Sequence, residues 1–313
     1  MVLAFVAALT MSGLQPASAS DQNGSASAVE NAVTDVAPDA ATVAATESGL
    51  GFEGIGDSVD TNAPVSGSGS VTIVDDQGLE LDFGLPAAVD DASGAIADGG
   101  SVVYEDPQGL ADIVVQPLED GVRIQAVIAG ETSPTAYTYE LPAGVVAEPQ
   151  VDGSLSLVVS DGNASFEVAH IAAPWATDAA GRAVATHYVV SGGSLTQVVG
   201  HNVAAVTYPV VADPSISFGL KIYVRYNKSE VKSQVSGWRG TVNDKGKYAS
   251  IFCAALVSGG AIGAVAAAAC AVYIYDSMSS IMATFKTAAA YNQCMEMQYL
   301  YNGLVVGWKR YSC

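Results

Sequence analysis

From Val71 to Val211 the chain alternates short β-branched runs with Gly, Asp and Pro. Val71–Val74 and Leu79–Phe83 flank Asp75-Asp76-Gln77-Gly78, which predicts a hairpin. Ile113–Leu118 and Val122–Ile128 flank Glu119-Asp120-Gly121, where Asp-Gly suits a turn with positive φ. Leu155, Leu157 and Val159 alternate with Ser154, Ser156 and Val158, and Phe166, Val168 and His170 with Ser165, Glu167 and Ala169. Period-two alternation turns one face of each run towards a core. Repeated at short intervals, it predicts an all-β sandwich or barrel-like domain over residues 67–214.

Residues 215–313 carry a different pattern. Leu220–Tyr226 alternates as a strand, and Asn227 with Glu230 three residues on forms a capping-box signature, so a helix is expected from Lys228. Ile251–Tyr275 is a 25-residue run without charge, long enough to span a bilayer as one helix. The cysteines oppose that reading. One continuous helix would hold Cys253 and Cys270 about 25 Å apart at 1.5 Å per residue, whereas a disulfide needs Cα atoms roughly 4.4–6.8 Å apart. If they pair, the run folds back at Ser258-Gly259-Gly260 into an αα-hairpin whose second helix continues towards Tyr291. Gly259-x-x-x-Gly263 as a membrane dimerisation face is the competing reading. Met295–Tyr301 and Leu304–Tyr311 flank Asn302-Gly303, a strong hairpin turn, which puts position 294 opposite about 311. The expected fold class is therefore α+β multidomain, with the β-rich domain followed by a small disulfide-bonded α+β module.

Residues 1–19 read as a secretory signal: an apolar stretch, Val2–Leu9, then the small-x-small site Ala17-Ser18-Ala19. No Lys or Arg precedes Arg123, so the basic start of such a signal is missing and an earlier start codon is expected. Residues 20–66 hold eight carboxylates, no basic residue and one aromatic, Phe52. Such a stretch buries too little apolar surface to offset its ordering entropy and is expected to be a disordered acidic leader.

Cysteine and charge usage sharpen this. Cys253, Cys270, Cys294 and Cys313 all fall in the last module. An even count in an exported chain implies two disulfides, with 253–270 and 294–313 preferred among the three possible connectivities. A zinc site is the rival, but no C-x-x-C occurs and no His follows His201. The chain has 12 basic and 32 acidic residues, net −20. Residues 215–313 hold ten of the basic residues against four acids, a net of +6, leaving −26 for the rest. Opposite charge on joined halves promotes docking or mutual steering.

Two stretches resemble known families. Tyr104-Glu105-Asp106, Ala111–Val114, Ala173-Pro174-Trp175-Ala176-Thr177-Asp178 and Val206-Thr207-Tyr208-Pro209-Val210-Val211-Ala212-Asp213-Pro214 occur in an order similar to the β-rich region of secreted and cell-surface proteins of high-GC Gram-positive bacteria, some YD-repeat proteins included. There, Tyr-Pro-Val-x-x-Asp-Pro closes the domain. The order of elements after Pro214 resembles the C-terminal part of secreted proteins of the same bacteria. The resemblance implies a secreted or cell-surface setting and carries over no catalytic residue.

Chemistry is not legible. His170, His187 and His201 lack ligand partners at i+2 or i+4 and read as structural or surface residues. Gly56-Asp57-Ser58 is similar to the nucleophile block of some lipases, without the partner Asp and His near the C-terminus. No EF-hand spacing and no phosphate loop occur, so no catalytic, cofactor or metal residue is assigned. Nucleic acid is not expected as a partner at a pI near 4.2. Three readings follow. The first is a secreted, extracellular binding protein whose basic module meets anionic cell-wall polymer or lipid head groups. The second is a precursor whose acidic part masks a membrane-active or toxic C-terminal effector. The third is a hydrolase with an unidentified site.

Overall fold

A computed structural model describes residues 19–49, 51–75, 78–161, 164–203, 205–218, 221–238, 253, 260–300 and 304–313. The chain is α+β, with three sheets among the described residues and a C-terminal disulfide-bonded module. The expected signal at 1–19 and the fold-back turn at Ser258-Gly259 lie outside the described residues, Ala19 excepted. So do Asn302 and Gly303.

Strands β1 (Thr46–Ser48), β2 (Gly51–Ile55), β3 (Val59–Pro64), β4 (Ser70–Asp75) and β5 (Glu80–Gly84) form an antiparallel meander. The chain then enters the largest sheet through β6 (Gly94–Ile96), β7 (Val102–Tyr104), β8 (Ala111–Leu118) and β9 (Gly121–Ile128). β10 (Ala136–Glu140) belongs to a small sheet, while β11 (Val146–Pro149), β12 (Leu155–Asp161), β13 (Ala164–Ile171) and β14 (Ala176–Asp178) return to the large one. β15 (Thr186–Ser191) and β16 (Ser194–Val199) complete the small sheet in the order β10-β16-β15. β17 (Val210–Ala212), β18 (Ser215–Phe218), β19 (Lys221–Tyr226), β20 (Cys294–Leu300) and β21 (Val305–Tyr311) finish the large sheet.

Both expected hairpins form, β4 with β5 and β8 with β9. Gly121 serves a purpose other than the expected one. Its φ is not positive; instead a Cβ there would stand 2.0 Å from the Ile216 carbonyl oxygen of β18. Glycine is needed because two strands approach closely, not for a left-handed turn.

The disordered-leader expectation for 20–66 is overturned. Helix α1 (Ala19–Thr34) and strands β1–β3 occupy the stretch. Val59, Thr61 and Ala63 alternate into the core, and Phe52 lies over Gly94, where a Cβ would meet its ring at 2.6 Å. α1 lies on the outer face of the large sheet, Ala26 and Val33 against Val103, Val114 and Val127. Buried Glu30 fastens it, accepting hydrogen bonds from Gly99 N at 2.6 Å and Ser101 N at 2.9 Å, while Ser27 Oγ accepts from Asp98 N. A carboxylate accepting from backbone amides contributes roughly 1.5–3 kcal/mol per bond. Glu30→Ala is therefore expected to release α1 without unfolding the sheet. Hydrogen exchange checks this: faster exchange at residues 97–101 and in α1, with β8 and β9 unchanged.

The C-terminal module has its own core, separate from that of the β-rich part. Asn227 caps α2 (Lys228–Gly237) through the full capping box with Glu230. Helix α3 (Gly260–Ala290) buries Cys270, Ile274, Met278, Ile281 and Phe285, a stripe at three- and four-residue spacing. Tyr226 and Trp238 meet Phe285 edge-on, with centroids 5.2 and 5.7 Å away. Cys253 is bonded to Cys270 with Cα atoms 5.6 Å apart, against about 25 Å for the same two positions in one straight helix. Among the described residues no helix is long and apolar enough to cross a membrane. Cys294 opposes Tyr311 in the β20–β21 ladder and is bonded to Cys313.

Strand pairing runs through the module boundary. β13 pairs with β18 at Ala169–Ile171 and with β19 at Ala164–Phe166, so one strand of the β-rich part carries both of the first two strands after Pro214.

Candidate functional site

Asp106 and Asp178 are built into turns. Asp106 accepts from the backbone amides of Gln108, Leu110 and Ala111 and so shapes the entry to β8. Asp178 accepts from Arg182 Nη2 at 2.7 Å and from the amides of Ala180, Arg182 and Thr207. The Arg182 guanidinium hydrogen bond holds its carboxyl well below the usual range. His201, fully buried, donates from Nε2 to the Pro134 carbonyl, and its Nδ1 lies 3.1 Å from the Tyr208 hydroxyl. His170 stands 3.5 Å from Glu167, and His187 is on β15, at the edge of the small sheet. Gly56-Asp57-Ser58 is the β2–β3 turn, tied by Asp57 N donating to the Glu119 carboxylate. Among the described residues no three His, Cys, Asp or Glu side chains are grouped to hold a metal.

Asp213 is the exception in kind. It is fully buried, accepts from Trp175 N at 3.0 Å and Ser215 N at 3.2 Å, and receives Gln197 Nε2 at 3.3 Å. Burial pushes its carboxyl up to about 7 despite these amides and the nearby Arg123 charge. It has no opening to a ligand and works within the core.

A group of accessible polar and aromatic side chains lies on the C-terminal module, where α2, the α3–β20 turn and β21 converge. α3 ends in a Schellman turn: Gln293 N donates to the Ala288 carbonyl at 2.9 Å, and Asn292 takes the left-handed conformation at φ 53°. The reversal leaves Tyr291 70% exposed. The Arg310 guanidinium sits 5.4 Å over the Tyr291 ring and donates to Gln293 Oε1 at 3.0 Å. Lys232 Nζ donates to Asn292 Oδ1 at 2.7 Å. Both cations thus rest on neutral amides, and neither forms an ion pair among the described residues. The Cys294–Cys313 bond closes the frame beneath them.

A second set of charges behaves oppositely. Arg225 bridges Glu148 at 2.7 Å and Glu296 at 3.1 Å, and Lys309 reaches Glu296 at 3.0 Å. Burial alone would raise Glu296. Hydrogen bonds from Gln298 and Lys309, with the Lys309 charge, outweigh it and hold the carboxyl below its ordinary range. These charges are consumed in fastening the module to β11; those at the α3–β20 turn are not.

Comparison with protein-family models, with curated proteins and with solved structures finds no match to this chain. The site therefore rests on its own geometry. Sequence reasoning located the basic module but not the residues that converge in it. Asn292 after a long helical run and before Cys294 is the signal that could have marked the turn.

Proposed function

We propose that this chain is a secreted, non-enzymatic binding protein that contacts anionic material of the cell envelope through its C-terminal module. The observation that supports the reading is the pair of uncompensated cations, Lys232 and Arg310, beside an exposed aromatic on a disulfide-closed frame. Export follows from the signal-like N-terminus and agrees with the two disulfides. A net charge of −26 elsewhere repels anionic surfaces and turns this face towards them.

The masked-effector reading requires the module to come away. Its β19 is zipped to β13, and Arg225 is paired with Glu148 of β11, so separation would strip a sheet and break a partly buried ion pair. This counts against release of an independent peptide.

Co-sedimentation of the full chain with isolated cell envelopes tests the proposal. Binding should weaken steeply as salt rises through about 0.1–0.5 M, since exposed charges are screened within roughly a Debye length. Lys232→Glu with Arg310→Glu should abolish it. Binding that ignores both changes would remove this face from the function.

A further inference from the structure

The chemistry of the face narrows its ligand. A bare polyanion needs only cations, and two exposed cations would serve as well without an aromatic between their supports. Here the two are spaced by consecutive residues, Tyr291, Asn292 and Gln293, whose ring and amides offer a flat apolar plate next to hydrogen-bond donors and acceptors. Arg310 is pre-aimed: one donor is used on Gln293 and its plane is steadied over the Tyr291 ring, leaving further N–H groups of a rigid fork for a carboxylate. Lys232 is held by Asn292 in the same way.

A lipid surface calls for a broad apolar face to enter the headgroup layer. This turn offers a single ring with polar neighbours. What matches a plate, two amides and two cations is a ligand that carries C–H faces, hydroxyls and a negative charge on one ring.

We propose that the α3–β20 turn is a subsite for an acidic polysaccharide. One pyranose ring of a uronic-acid chain lies against Tyr291, its hydroxyls meet the Asn292 and Gln293 amides, and its carboxylate is received by Arg310 and Lys232. This rests on the envelope-binding reading and specifies its ligand.

The test uses the full oxidised chain and two probes of matched length and charge density, polygalacturonate and polyglutamate, at low salt. Polygalacturonate is expected to bind about tenfold more tightly. Tyr291→Ala should lower the affinity for polygalacturonate far more than that for polyglutamate, removing the preference, while Tyr291→Phe keeps it. Lys232→Gln with Arg310→Gln should weaken both probes. Tyr291 is largely exposed, so these variants leave the core intact. Equal affinity for the two polymers, insensitive to Tyr291→Ala, would overturn the polysaccharide subsite and leave a charge-driven envelope contact standing. Binding only to vesicles of anionic lipid would overturn it likewise. Failure of this face to bind any of the three, with envelope binding surviving its charge reversal, would defeat both proposals.

Discussion

Replacing Cys294 and Cys313 by serine is expected to loosen the C-terminal module by about 3 kcal/mol while the β-rich part stays folded. The bond closes a loop of 19 residues in sequence separation, and a loop of that size restrains the unfolded chain by roughly 3 kcal/mol. The local structure says where the loss is felt. Among the described residues β21 is the outer strand of the large sheet and pairs only with β20, so without the bond it can fray from its C-terminal end. Met295, Met297 and Tyr299 of β20 lie in the module's own core with Phe285, not in the core of the β-rich part. Loss of the bond should therefore split one unfolding transition into two. Cys253→Ser with Cys270→Ser should act on the same transition, because that bond joins residues of the same core, with a similar loop of 17. Chemical denaturation followed by hydrogen exchange checks both. Uniform destabilisation of β8 and β9 together with β20 would show that the two cores unfold as one.

The parts of this fold that were legible in the sequence share a property: their signal is local. The capping box at Asn227 and Glu230 needs only four residues, and the β20–β21 register follows from a short turn between two alternating runs. The Cys253–Cys270 proximity follows from comparing helix rise with bond reach. The N-terminal stretch failed for a reason that is equally physical. The buried side of α1 is Ala26, Ser27, Glu30 and Val33, two small or polar residues and a carboxylate among four positions. Helical periodicity of hydrophobicity cannot find a face whose grip comes from Glu30 reaching Gly99 and Ser101, about 70 residues further along the chain. In β3 the alternation is present, but Thr61 and Ala63 carry it with little hydrophobic contrast. The apolar mass that orders these strands is contributed from elsewhere, by Tyr104, Ile113 and Val115 in the same core. The candidate site was half-legible. Charge segregation pointed to the module, but the meeting of Lys232, Tyr291 and Arg310 depends on three elements folding together.

The largest dependence on pH is expected at Asp213. Its surroundings raise the carboxyl above the ordinary aspartate range. The group is wholly buried, which pushes it up to about 7. The folded protein thus holds this proton more tightly than the unfolded chain, whose Asp titrates near the ordinary 3.8. The favourable contribution is fully present below the unfolded value and disappears as pH rises through about 7. A difference of about 3 units corresponds to about 4 kcal/mol at most, at 1.36 kcal/mol per unit. Asp213→Asn removes the titration while keeping an oxygen for Trp175 N or Ser215 N. The stability of this variant relative to the natural chain should rise across about pH 4 to pH 8, by up to about 4 kcal/mol. Subtracting the two chains cancels the many surface carboxylates they share, so denaturation across that range isolates the single group. A difference that stays flat would mean that Asp213 is ionised in the core, stabilised by Arg123 and the two amides. In that case the natural chain would gain on the variant only below about pH 4, as pH rises towards the unfolded value.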